Sequence, residues 1–169
     1  GEGTLPPRAV LITIDDGWKC VYTDAYPILK EYGDPFTVYL YKNYVDGGGR
    51  ALTTPMIKEM QQHGCTIGSH SVSHPFPSTV KSHARKGPEA YEDFLKKELG
   101  ESRKFLQAKF DEEVTTYAYP GGYFTEEMFT LGDEVGYEYY FTVKPGKVRR
   151  DSPNHTLPRY IVRGILDRQ

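Results

Sequence analysis

Cysteine, tryptophan and long apolar runs are what this 169-residue chain has little of. Cys20 and Cys65 are too few for a disulfide framework and lack the spacing of a structural zinc motif, so both are expected as free thiols. No run approaches the ~20 apolar residues that a membrane span requires, so none is expected in the chain. Net charge is only −2 and no block of one sign stands out, which excludes nucleic acid as an expected partner. No signal peptide is visible. The chain starts at Gly1 rather than Met, which reads as a piece trimmed of upstream residues, where an export signal or anchor would lie.

A hydrophobic share of 38% beside 26% charged residues fits a single globular domain over residues 1–169, long enough to bury a real core. Tyrosine is abundant, at 14 residues. Its flat face and polar tip suit stacking on sugars, although most of these tyrosines are expected as half-buried packing residues.

Strand and helix patterns alternate along the chain. Residues 9–14 read as a strand rich in β-branched residues. Residues 19–32 have helical spacing (Val21, Ala25, Ile28, Leu29, Tyr32) and stop at Gly33. A second strand is expected over 36–41, and a loop at "DGGGR" over 46–50. A helix follows from Thr54, with Pro55 tolerated in the first turn, to Gly64. Further strands are expected over 66–69, 115–119, 139–143 and 157–162. Helices are expected over 88–110, with Leu95, Leu99, Phe105, Leu106 and Phe110 inward, and over 125–135; residues 77–87 read as a polar loop. Such alternation means parallel strands joined by crossover helices, an α/β sheet or barrel.

In that class, function sits beyond the C-terminal ends of the strands. "LITIDDGWKC" puts two touching carboxylates, Asp15 and Asp16, at the first strand end, and "GSHSVSHP" puts His70 and His74 after the third. "AYPGGYF" follows the fourth, and Arg163 and Gly164 follow the sixth. Two imidazoles and one carboxylate make a facial ligand set for a divalent metal, with positions left for water and substrate. The four-residue spacing of the histidines would place both rings on one side of a helical turn. Only one aspartate is needed as a ligand; the other can act as general base on a metal-bound water, giving a hydrolase for an amide or ester. Taken singly, each feature has a plainer reading: Asp-Asp as a helix cap beside a solvated charge, His-x-x-x-His as a surface pair, "YPGG" as a turn. Their joint order on successive strand ends favours a site. His63, His83 and His155 stand in polar or helix-end contexts and read as structural or solvated.

"ITIDDGW", "GSHSVSH" and "YAYPGGYF" resemble the first three motifs of the polysaccharide deacetylase family, the NodB-homology domain of carbohydrate esterase family four. The usual forms are T-F-D-D-G, H-S-x-x-H and a Pro-containing third motif, and the resemblance runs over residues 6–162. It implies a distorted (β/α) barrel, mostly of parallel strands and with fewer of them than a TIM barrel. It also implies metal-dependent removal of N-acetyl groups from an N-acetylglucosamine-containing polysaccharide or oligosaccharide, outside the cytoplasmic membrane: extracellular, cell-surface or periplasmic. Carried over by motif, Asp15 resembles the general base, and Asp16, His70 and His74 the ligands of one divalent ion, zinc before nickel or cobalt. The N–H of Gly121 resembles an oxyanion donor. Pro120, Tyr123 and Arg159 are expected on the substrate side.

Three departures qualify the resemblance. Ile14 replaces a frequent Phe, an apolar exchange. Ala118 stands where many members carry an Arg that orients the base; "F-A-Y-P-Y-G" is a variant of the branch acting on exopolysaccharide poly-N-acetylglucosamine, and Arg159 or Arg163 is the expected substitute. The late Leu-x-His motif, whose His protonates the leaving amine, is missing. His155 in "NHTLPR" is a weak candidate for that acid, and in the permuted branch the His lies upstream of the first motif. An O-acetyl esterase on a xylan-like polymer and an inactive carbohydrate-binding remnant remain alternatives.

Overall fold

The computed structural model describes residues 8–162. Five strands, β1 (Ile12–Asp16), β2 (Phe36–Leu40), β3 (Cys65–Ser69), β4 (Thr116–Ala118) and β5 (Tyr139–Phe141), form one sheet in sequential order. Every neighbouring pair is parallel. A parallel pair needs a long crossover, and helices supply it. The sheet curls into a half-barrel with the helices packed on it, which is the distorted (β/α) architecture expected from the sequence.

Between β1 and β2 the chain runs through a π-helical turn, Val21–Ala25, into α1 (Tyr26–Tyr32). Gly33 ends α1 in the left-handed region, at φ 67°, where it closes the last carbonyls. Helix α2 (Thr54–Gln61) starts as Thr54-Pro55 suggested, and Asp46 accepts both the Thr54 N–H and its hydroxyl, each at 2.6 Å. Helices α3 (Pro77–Ala84), α4 (Pro88–Leu95) and α5 (Ser102–Phe110) lie between β3 and β4; α6 (Glu126–Val135) lies between β4 and β5.

Four expectations change. Residues 77–87 were read as a loop, but α3 occupies most of them. Its polar sequence buries only Val80, so it has almost no apolar period to detect, while Pro77 sits where a first-turn Pro is tolerated. The helix expected over 88–110 is interrupted by a π-helical stretch, Lys96–Glu101, between α4 and α5. The sixth strand reduces to a single bridge between Leu157 and Phe141. Pro158 lacks the N–H that a ladder needs, and the chain is next held by the Arg159 N–H on the Lys144 carbonyl. The first strand starts at Ile12 rather than residue 9 and carries through both aspartates.

β2 is buried along its whole length, and the core closes around it through Val38, Leu40, Ile57, Met60, Leu95, Leu99 and Leu106. Each such side chain contributes roughly 1.5–3 kcal/mol by leaving water. Tyrosine is more deeply buried than expected: Tyr39, Tyr117, Tyr119, Tyr137 and Tyr140 are all core residues. Their hydroxyls are placed rather than stranded. Tyr119 donates to the His155 carbonyl, Tyr137 to the Leu99 carbonyl and Tyr140 to Asp133. Burial pushes the phenols of Tyr137 and Tyr140 up, so they stay neutral. Cys20 is exposed, Cys65 is buried, and the two are unpaired.

Tyr39 and Gly68 are cross-strand partners in the sheet. A Cβ on Gly68 would overlap the Tyr39 ring and lie 2.8 Å from the Thr116 hydroxyl. Gly68→Ala is therefore expected to lower the unfolding free energy by about 1–3 kcal/mol through overpacking, read by urea denaturation. An unchanged midpoint would mean that the ring moves aside without cost.

Candidate metal and catalytic site

The C-terminal ends of β1 and β3 lie on the same rim. β1 delivers Asp15 and Asp16, and the segment directly after β3 delivers His70 and His74. The pleat sends the two aspartates to opposite faces, so one strand end offers two carboxylates to two different neighbourhoods. Asp16 adopts φ 78°, a left-handed conformation, and Gly17 follows at φ 83°. A Cβ at Gly17 would meet the Leu40 side chain at 2.7 Å, so this sharp exit from the strand needs glycine.

The 70–74 segment is not the helical turn expected from the four-residue spacing. It is a kinked loop with Ser71 at φ 78° and His74 at φ 52°. The His70 N–H still continues the sheet, donating to the Leu40 carbonyl at 2.9 Å, and the kink then turns His74 back toward β1. The result brings both imidazoles to one carboxylate oxygen. His70 Nε2 and His74 Nε2 each stand 3.4 Å from Asp16 Oδ1. The ligand atoms of Asp16, His70 and His74 all fall within 4.8 Å of one another.

The second contacts define which atoms face inward. His70 is buried, and its Nδ1 lies 2.6 Å from the Ala118 carbonyl. A carbonyl only accepts, so the ring proton of a neutral His70 sits on Nδ1 and the Nε2 lone pair faces Asp16. Burial and the neighbouring His70 hold the His74 imidazole below its ordinary pKa, which favours its neutral form. The Trp18 indole lies against the other oxygen of the Asp16 carboxylate. That indole donates to Oδ2 at 3.1 Å, which leaves Oδ1 for the imidazoles. One carboxylate oxygen and two imidazole nitrogens, each able to offer a lone pair, thus converge. A divalent cation fits that arrangement, and the two-nitrogen, one-oxygen set suits zinc or another first-row ion.

Asp15 faces elsewhere. Arg159, 144 residues downstream, grips it with a bidentate fork: Nη1 on Oδ1 and Nη2 on Oδ2, both at 2.7 Å. The same guanidinium donates to the Thr13 hydroxyl at 3.1 Å and, through Nε, to the Thr142 carbonyl at 3.0 Å. Arg159 was expected on the substrate side or as a substitute for the arginine missing at position 118. Its donors are committed to Asp15, Thr13 and Thr142. Arg163 lies outside the described residues.

The turn after β4, Pro120–Gly122, has Gly121 at φ 60°. The N–H groups of Gly122 and Tyr123 bind the carbonyls of Tyr119 and Pro120, while that of Gly121 makes no hydrogen bond among the described residues. Pro120 is buried. The Tyr123 ring lies under the Lys81 ammonium at 5.3 Å. Among the described residues, no hydrogen bond or ring contact joins Pro120 or Tyr123 to the Asp16 cluster. His155 is engaged on α6 instead: its Nε2 is 2.8 Å from Asp133 Oδ2, and its ring stacks on Phe129 at 4.4 Å. His63 pairs with the Tyr26 hydroxyl at 2.8 Å, and His83 stacks on Phe94 at 4.1 Å.

Sequence reading missed three participants. Trp18 was legible as the residue after "DDG". The Ala118 carbonyl carries no side-chain signal. Glu98, which accepts hydrogen bonds from the loop between the two histidines, could have been noticed as a lone acid beside the inward-facing Leu95 and Leu99.

The curled parallel sheet with this rim is the architecture of the NodB-type deacetylases. The chain belongs to the polysaccharide deacetylase family, whose match covers residues 2–140. It is 32% identical to YxkH of Bacillus subtilis over 152 residues, 90% of this chain and 50% of that protein. It is 28% identical to the poly-beta-1,6-N-acetyl-D-glucosamine N-deacetylase of Staphylococcus aureus (strain MSSA476) over 166 residues, 95% of this chain and 57% of that protein. The structure of IcaB from Ammonifex degensii superposes with a TM-score of 0.80 at 26% identity, covering 95% of this chain and 70% of that one. The chain spans about half the length of the curated relatives it matches.

The Arg159–Asp15 fork should be measurable on its own. Arg159→Leu leaves a half-buried carboxylate without its partner and is expected to cost about 1–3 kcal/mol of stability; Arg159→Lys should recover only part, because an ammonium lacks the planar fork. Equal unfolding midpoints for the parent and Arg159→Leu would show that water replaces the guanidinium freely.

Proposed function

We propose that this domain is a metal-dependent hydrolase that removes N-acetyl groups from a glucosamine-containing polysaccharide outside the cytoplasmic membrane. The observation that carries the reading is the meeting of His70 and His74 on one oxygen of Asp16, with a second, separately tethered carboxylate next to it in sequence. His70, His74 and Asp16 would hold one divalent ion, zinc before nickel or cobalt. Bound there, such an ion supplies Lewis-acid polarisation of the acetyl carbonyl and lowers the pKa of a coordinated water.

The chain's own residues divide the remaining work. Asp15 receives the proton of the attacking water, and Arg159 fixes the orientation of its carboxylate. The Gly121 N–H is the donor offered to the oxygen that gains charge as the carbonyl becomes tetrahedral. Trp18 keeps Oδ2 of Asp16 occupied, so that Oδ1 stays turned to the imidazoles. An aromatic row surrounds the cluster: Trp18 against Tyr44 at 5.1 Å, Tyr44 stacked on Tyr41 at 5.1 Å, Tyr41 against His74 at 5.4 Å, and the exposed Phe76 beyond. Flat apolar faces of this kind suit sugar rings, and the poly-N-acetylglucosamine deacetylase of Staphylococcus aureus among the relatives supports that substrate class.

His70→Ala and His74→Ala are each expected to weaken zinc binding severely. Asp15→Asn should retain zinc and lose about 10²-fold or more in turnover on N-acetylglucosamine oligomers. Asp16→Asn should lose zinc affinity as well. Metal content after dialysis, beside acetate release, checks all four; full occupancy in both histidine variants would sink the ligand assignment.

The engagement of His155 by Asp133 and Phe129 favours a second reading, an O-acetyl esterase. Amine departure needs a proton, whereas an aryl oxide is far less basic and leaves without one. With His155 held on α6, the isolated chain should hydrolyse activated aryl acetates faster than N-acetylglucosamine oligomers, and His155→Ala should change neither rate much. A large loss confined to the deacetylase rate of His155→Ala would instead make that residue the acid.

A further inference from the structure

Glu98 is one of few charged side chains buried in the core, at 5% exposure, and none of the ion pairs among the described residues involves it. A buried carboxylate without a cation costs several kcal/mol unless hydrogen-bond donors surround it. The donors here all come from the loop that carries the histidines. Glu98 Oε2 accepts the backbone N–H of Val72 at 3.0 Å and of Ser73 at 2.9 Å; Oε1 accepts the Ser73 hydroxyl at 2.8 Å. Four residues on, the buried Ser102 hydroxyl donates to the Ser71 carbonyl at 2.9 Å and lies 2.8 Å from the Ser69 hydroxyl.

Further hydrogen bonds hold the rest of the loop. The Ser71 hydroxyl accepts the His74 N–H at 2.9 Å, and the Lys42 and Asn43 N–H groups take the Ser71 and Val72 carbonyls, each at 3.0 Å. The loop has no helical or sheet ladder of its own between His70 and His74, and two of its residues hold left-handed conformations. Its backbone donors therefore have to be satisfied from outside, and Glu98 satisfies two consecutive ones with a single side chain. Glu98 also sits within the π-helical stretch Lys96–Glu101, the widened turn that interrupts the helix running from α4 to α5. Such turns are rare and are frequent at functional sites.

We propose that Glu98 is a positioning residue that holds the two imidazoles on Asp16 through the backbone of Val72 and Ser73. This inference rests on the reading of Asp16, His70 and His74 as ligands. It goes beyond that reading by placing the determinant of ligand geometry on a helix that contributes no ligand. Glu98 touches neither imidazole; it acts on the peptide groups between them.

The test uses the whole chain and three readouts: zinc affinity by competition with a chromophoric chelator, amide hydrogen exchange at Val72 and Ser73 in the metal-free protein, and thermal stability. Glu98→Ala is expected to weaken zinc binding about 10–100-fold, the usual effect of losing a group that orients ligands. It should also accelerate exchange at Val72 and Ser73 beyond any general rise. Glu98→Gln keeps an acceptor oxygen for the two N–H groups and should stay within about threefold of the parent. Leu29→Ala in α1, a helix that packs on the Val21–Ala25 turn rather than on the Glu98 stretch, serves as a destabilised control and should lose stability while keeping its zinc affinity. Should Glu98→Ala fail to fold, Glu98→Asp, with a shorter reach, is expected to show the same selective losses. Parent-like zinc affinity and exchange in the alanine or aspartate variant would overturn the proposal, as would an equal loss of zinc in Leu29→Ala. If the parent itself binds no zinc, the ligand reading fails, and exchange at Val72 and Ser73 still decides whether Glu98 holds the loop.

Discussion

The fork between Arg159 and Asp15 is the constraint on which the geometry of the rim depends. A sequential parallel sheet that curls only halfway leaves two unlike edges, β1 at the start of the chain and the segment after β5 near its end. Arg159 belongs to the second edge by its own N–H and by Nε, and to the first by Thr13 and Asp15. A guanidinium can do this because its five donors are rigid, planar and spread over three nitrogens; a lysine ammonium gathers three donors on one nitrogen and lacks the fork that spans both carboxylate oxygens. The pairing also separates the surroundings of two adjacent aspartates. With Asp15 drawn to Arg159, Asp16 is left alone to face the histidines.

Around that constraint, local conformational cost and local order are coupled. Asp16, Ser71 and His74 all occupy the left-handed region, a conformation that costs side-chain-bearing residues of order 1–3 kcal/mol when it is sparsely populated. None would hold it in isolation. The Trp18 indole, the Ser71 hydroxyl and the Glu98 carboxylate each bind within two residues of a strained position, and the buried His70 is locked by the Ala118 carbonyl. The rim is therefore assembled from the ends of β1, β3 and β4 and one helical stretch, and the stability of the buried core offsets the strain there. The tyrosine-rich core belongs to the same economy. Its hydroxyls bind carbonyls and carboxylates inside the fold, so the polar tips stay in the core, and the aromatic row beside the cluster is made by Trp18, Tyr41, Tyr44 and Phe76 instead.

The strand–helix alternation, the parallel sheet and the rim position of Asp15, Asp16, His70 and His74 were legible in the sequence, because apolar period and strand-end placement are local properties. β-branched runs and the stop at Gly33 needed no knowledge of distant residues, whereas α2 ends at Gln61, before the stop expected at Gly64. The failures have equally definite causes. Helix α3 shows one buried residue in eight and so has no periodicity to detect. "LPRYIV" has the composition of a strand, while Pro158 and the lack, among the described residues, of pairing beyond one bridge decide otherwise. The spacing of His70 and His74 suggested a helical turn; the two rings converge instead because backbone bonds from Lys42 and Asn43 and side chains from Glu98 and Ser102 fold the loop back.

By itself, the sequence determined which chemical groups stand at the strand ends and hence what kind of ion and reaction they suit. Only the tertiary structure decided how those groups are divided. That Arg159 belongs to Asp15, that His155 belongs to Asp133 and that Glu98 belongs to the histidine loop are pairings across 144, 22 and 25 residues of chain. No local pattern encodes them, since each depends on where the curl of the sheet and the packing of α6 and the α4–α5 helix bring two distant segments into hydrogen-bonding distance. A side chain's type limits the bonds it can form; which of them it forms is set by what the fold places within about 3 Å of it.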